Sequence, residues 1–279
     1  MIGIIGAMEE EISKLKEIMD NKEIQTIARM EFVKGEISKK QVTVVRSGIG
    51  KVNAAACTQI LIDRFKVDAV INTGIAGSLK NEINIGDIVL STDTVIHDMN
   101  VEGFGYKRGQ VPRMDVFAFP TDDTLRSLAK KICEEDLKDI SVFEGRVLSG
   151  DVFVSDKAVK DDLKETFGGY CTEMEGAAIA QVAYLNKVKA LIIRSISDKA
   201  DDSASMDYSE FEKKAIEHSV KLTKKLIAGS VVVPDFDMIL IEKSLSFNRS
   251  FMSAIYFDEI EFPQNIICGV FLCDLSRQL

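Results

Sequence analysis

Ile2-Gly3-Ile4-Ile5-Gly6-Ala7-Met8-Glu9-Glu10-Glu11 is the stretch whose reading decides the fold. Ile2–Ile5 is a short apolar run, as expected of a strand covered on both faces. It breaks at Gly6 into a turn and then three carboxylates. No basic segment precedes it, so it reads as an opening strand rather than a leader peptide. Other apolar runs end the same way, in Ser47-Gly48-Ile49-Gly50, Thr73-Gly74-Ile75-Ala76-Gly77, Ser149-Gly150-Asp151 and Ser197-Asp198. In open α/β sheets ligands gather beyond the carboxyl ends of strands. Five polar strand ends therefore predict one shared site.

Between these ends, apolar runs alternate with amphipathic stretches. Strands are expected at Glu31–Ser38, Gln41–Arg46, Ala69–Asn72, Asp87–His97, Val142–Leu148 and Ala190–Ile196. Helices are expected at Glu9–Met19, Val52–Phe65, Asp122–Glu135, Glu175–Leu185 and Tyr208–Ala228. The alternation predicts a three-layer α/β/α domain over residues 1–229. The early strand pair, turning near Lys39-Lys40, makes its central twisted sheet mixed. After Gly229 the helical period stops, and residues 230–279 form a separate C-terminal extension of unknown role.

The 279 residues are 46% hydrophobic and 28% charged, with a net charge of −9. A negative surface repels phosphate backbones, which argues against nucleic acid as a partner. No apolar run reaches the eighteen or so residues a membrane span needs. The five cysteines show no paired spacing and suit a reducing cytoplasm. Only His97 and His218 are available to a Ser-His-Asp triad or a histidine metal site. Carboxylates are therefore the expected chemical groups.

Glu9, Glu10 and Glu11 suit a helix start. They also make a poor phosphate site, since like charges about 5 Å apart repel by roughly 3 kcal/mol at an effective dielectric near 20. Glu173 and Glu175 open an alanine-rich segment, either as first-turn acids or as bidentate acceptors for a vicinal diol. Asp198 is either a turn residue or a general acid whose pKa burial would raise. Arg194, on the same strand, can hold one of the glutamates by an ion pair.

Taken in order, these segments resemble the 5′-methylthioadenosine/S-adenosylhomocysteine nucleosidases of the purine nucleoside phosphorylase-like superfamily. Ser47–Ala55, Gly86–Val89, Phe104-Gly105-Tyr106, Gly109–Pro112, Glu173–Ala180 and Arg194–Asp198 extend the match from the opening strand to about residue 229. The resemblance implies hydrolysis of 5′-methylthioadenosine and S-adenosylhomocysteine, with 5′-deoxyadenosine as a further candidate substrate, and a reaction that needs no metal or organic cofactor. Phosphorolysis, futalosine hydrolysis and binding without turnover remain as alternatives. It gives Glu11 the attacking water and Asp198, beside Ser197, the proton for adenine N7. Phe153 would stack on adenine, Val154 would read its edge through the backbone, and Tyr208 would lie near base or ribose. Glu175 would accept ribose hydroxyls with Met174 beneath, while Glu173 and Arg194 complete the substrate-binding set. Ile75 stands near the reacting centre where some members have serine. Phe104 and Pro112 would reach a neighbouring subunit's site, which implies a homodimer. Lys199, next to the acid, is expected to face solvent.

Overall fold

The computed structural model describes residues 1–201 and 203–229, except the side chains of residues 205–210. Strand β1 (Ile2–Gly6) is buried at every residue. It lies between two parallel neighbours, β4 (Lys40–Arg46) and β5 (Ala69–Ser78), which explains why its sequence is apolar without alternation. Outward from β4 run β3 (Met30–Ile37) and β2 (Asp20–Ile27), both antiparallel. The β3–β4 turn places Ser38 and Lys39 at φ 51° and 63°, the left-handed geometry of a tight hairpin.

On the other side of β5 the pairing returns on itself. It passes through β9 (Cys171–Glu173), β8 (Val142–Ser149) and β6 (Ile88–Ile96) to β10 (Lys189–Asp198), which pairs again with β5. Five strands thus form a closed ring, and β1, β4, β3 and β2 extend from it as a wing. A two-residue strand, β7 (Phe119–Pro120), adds to β6. The sheet is mixed, as the sequence predicts. β5 is buried at all ten residues and β10 at nine of ten, so these two form the spine of the core.

Helices α2 (Lys51–Phe65) and α5 (Gly176–Leu185) pack together, with α5 against the ring. Helix α6 (Ala204–Gly229) lies along β10 and β5, beside α3 (Asp123–Asp136). Asp122 caps α3 by accepting from Leu125 N at 2.8 Å. Among the described residues no helix is long and apolar enough to cross a membrane. The extension expected over 230–279 lies outside the described residues.

Two sequence expectations change. The helix expected over Glu9–Met19 shrinks to α1 (Ser13–Glu17), because the chain before it is a turn wrapped around the Glu11 carboxylate. Helix α4 (Lys157–Phe167), capped by Asp156, and the exposed edge strand β2 add elements that apolar periodicity did not predict.

Candidate active site

The polar strand ends converge on one cavity of about 480 Å³. Its lining includes Glu11, Ile75, Phe153, Val154, Glu173, Met174, Glu175, Ser197 and Asp198. Nine of the thirteen residues singled out from sequence therefore meet in one place.

Glu11 is buried and accepts from the amides of Ala7 (2.7 Å), Met8 (3.0 Å) and Ile75 (3.3 Å). Burial pushes its pKa up, while the nearby Arg194 charge and the three amides pull it back. Its position depends on Gly74, where an added Cβ would come within 2.5 Å of Glu11 Oε1.

Beneath the cavity floor, Arg194 is an internal strut. It donates to Glu173, with which it forms a fully buried ion pair, and to Asn72. Glu173 also accepts from Ser149 Oγ and from the amides of Glu175 (3.2 Å) and Gly176 (2.7 Å). Its carboxylate is thus engaged by the protein while it also lines the cavity. Arg194 is not among the lining residues.

Glu175 precedes α5 and accepts from Gly50 N at 2.8 Å. Burial, and then the Glu173 charge, push its pKa up to about 8. Glu11, Glu173 and Glu175 thus share a single buried cation, Arg194, whose own charge burial opposes and those carboxylates sustain. The cavity holds an excess of buried acid.

Asp198, 2% exposed, lines the same cavity as Glu11. It accepts from Ser197 Oγ and Ala200 N, both at 2.8 Å. A β-bulge puts it there. In the β10–β5 pairing Ile196 faces Ala76 and Asp198 faces Gly77, so Ser197 is the extra residue. A Cβ on Gly77 would lie 2.6 Å from Asp198 Oδ1. Lys199 turns away from the cavity and, rather than facing open solvent, donates to carbonyls of the 81–84 loop.

Phe153 lies on the rim, 47% exposed. Phe104 is 85% exposed and, like Pro112, is not part of the cavity of its own chain. Tyr208 falls on α6, and its side chain lies outside the described ones. The sequence reading missed Met8, Ile49 and Thr172, which also line the cavity. The Thr172 hydroxyl is buried without a partner among the described residues. An apolar Met or Ile at a strand end carries no chemical signature, so only the fold discloses such residues.

Buried acids gathered in one cavity at the carboxyl edge of a partly closed mixed sheet place the protein in a class: the model of the phosphorylase superfamily matches residues 1–228. A 5′-methylthioadenosine/S-adenosylhomocysteine nucleosidase from Exiguobacterium sp. is 44% identical over 230 residues, 81% of this chain and 98% of the relative. The chain belongs to that nucleosidase family. The crystal structure of the Neisseria meningitidis nucleosidase in complex with methylthio-immucillin-A is similar at a TM-score of 0.79 and 37% identity, covering 82% of this chain and 99% of that one. Futalosine hydrolase of Helicobacter pylori is similar at 0.77 and 35%, covering 81% and 96%.

Proposed function

We infer that the protein hydrolyses the N-glycosidic bond of 5′-methylthioadenosine and S-adenosylhomocysteine, releasing adenine and the 5-thio-substituted ribose. The observation that carries this is that the buried acids Glu11, Asp198 and Glu175 line one cavity. Adenine lies against Phe153 and the backbone of Val154, with N7 toward Asp198. The ribose diol faces Glu175, over Met174. As the C1′–N9 bond breaks, its electron pair goes to adenine, and Asp198 delivers a proton to N7. The sugar becomes oxocarbenium-like, and the excess buried carboxylate stabilises that positive charge. Water held by Glu11 bonds to C1′ and gives up a proton to Glu11. Inorganic phosphate is a poor rival for this water, because it would add negative charge to a site already rich in it.

Asp198→Asn keeps the side chain's size but removes the donated proton. Adenine release should fall by about 10²–10⁴-fold, the usual share of general acid–base help. Binding of a non-hydrolysable nucleoside analogue, read by calorimetry, should stay within a few-fold. Near-normal turnover would overturn the assignment. The TM-score of 0.77 to a futalosine hydrolase makes futalosine the substrate to run beside the two thio-nucleosides.

The exposed Phe104 supports a homodimer in which Phe104 and Pro112 close the neighbouring site over the 5′-substituent. Catalysis would then reside in residues 1–229 of a cytoplasmic enzyme, with 230–279 as an appended segment.

A further inference from the structure

A second cavity, of about 550 Å³, adjoins the catalytic one and shares Ala7, Met8 and Ile49 with it. Its other walls differ in kind. Arg46, the last residue of β4, and Arg29, in the β2–β3 turn at φ 63°, face it from one side of the sheet. Glu9 and Glu10, from the turn after β1, contribute the opposite charge. Glu9 already accepts from Lys16 Nζ at 3.0 Å. The side chains of Arg29, Arg46 and Glu10 have no hydrogen bond or ion pair among the described residues, so both charge types are available to a ligand. A cavity with two unpaired guanidinium groups and an unpaired carboxylate matches a zwitterion.

The position of this cavity indicates which zwitterion. In the reading given above, Phe153 and Asp198 mark the adenine end of the catalytic cavity, and Glu175, bonded to Gly50 N, marks the ribose. C5′ is attached to C4′, across the ring oxygen from C1′, and so points away from the base. Met8 and Ile49 belong to the wall common to both cavities, and Ile49 adjoins Gly50, whose amide bonds Glu175 at the ribose end. A methylthio group ends at that wall, whereas a longer thioether passes it.

We propose that the second cavity is a specificity subsite for the α-amino acid tail of S-adenosylhomocysteine, with Arg46 and Arg29 taking the carboxylate and Glu10 the ammonium. This rests on the nucleosidase reading of the first cavity. The two arginines act as paired donors for a carboxylate. The apolar Met8–Ile49 wall accommodates the thioether stem. 5′-Methylthioadenosine has no charged tail and gains nothing from the subsite.

The test is adenine release from both substrates by the full-length chain carrying Arg46→Gln, Arg29→Gln or both. The double variant should shift the ratio of kcat/KM for S-adenosylhomocysteine over 5′-methylthioadenosine down by about tenfold, the scale of one or two partly exposed charged hydrogen bonds. The change should lie in KM rather than kcat, and Glu10→Gln should shift the same ratio in the same direction by less. An unchanged ratio in the double variant would overturn the subsite, whether both substrates weaken together or neither does. So would a wild-type protein that cleaves 5′-methylthioadenosine but not S-adenosylhomocysteine. Failure of the wild type on both substrates is a different result and would count against the nucleosidase reading itself.

Discussion

Gly74 and Gly77 are defined by what stands opposite them. Neither has a positive φ, so backbone freedom does not explain them; a methyl at either would intrude on Glu11 or Asp198. Gly77→Ala should displace the Asp198 carboxylate and reduce kcat by more than tenfold, given the cost of small misplacements at a reacting centre. Adenine-release kinetics set beside a circular dichroism spectrum of the variant check this. Glu175 yields a prediction about pH. Its folded pKa, about 8, lies above the ordinary 4.5. Between those values the native state binds more protons than the unfolded chain, so this residue's contribution is full below about 4.5 and is lost as pH rises through about 8. Glu175→Gln removes the loss and keeps an acceptor for Gly50 N. The free variant should melt a few degrees above wild type at pH 8.5, at about 2–4 °C per kcal/mol for a domain of this size, while losing most activity. Thermal scans at pH 5 and pH 8.5 compare the two, and an equal difference at both pH values would contradict the buried-acid account.

At the scale of elements, β10 joins stability to chemistry. Its middle residue, Arg194, neutralises Glu173 beneath the cavity, and its bulged end aims Asp198 into it. Arg194→Met leaves Glu173 buried without its cation, which typically costs 3–5 kcal/mol. Urea unfolding should show that loss, and a change under about 1 kcal/mol would mean the ion pair is replaceable. The main strands were legible because their apolar runs are continuous. The bulge was not, since Ser197-Asp198 reads as the turn after a strand ending at Ile196. Strand β2 escaped because a polar, exposed edge strand shows no apolar pattern. The opening of α1 was misread because three glutamates resemble a helix start, whereas Glu11 is drawn inward by two backbone amides. Spacing could not tell how differently the fold engages Glu173 and Glu175, since only the folded chain brings Arg194 and Ser149 to Glu173 and Gly50 N to Glu175.

For the molecule as a whole, the mixed sheet brings together segments as far apart in the chain as Glu11 and Asp198, so the site exists only once the domain has closed. The relatives named above are spanned over almost their full length by about four-fifths of this chain. A chain ending at Gly229 should therefore keep most of its kcat/KM for 5′-methylthioadenosine. A large loss would give residues 230–279 a part in the site or in its dimer. The most direct measurement for the central claim is adenine release from 5′-methylthioadenosine in phosphate-free buffer, repeated with phosphate added. Full-rate release without phosphate, giving free methylthioribose, is the expected result. Release that begins only when phosphate is added, giving a sugar phosphate, would contradict the role of Glu11 as the residue that holds water.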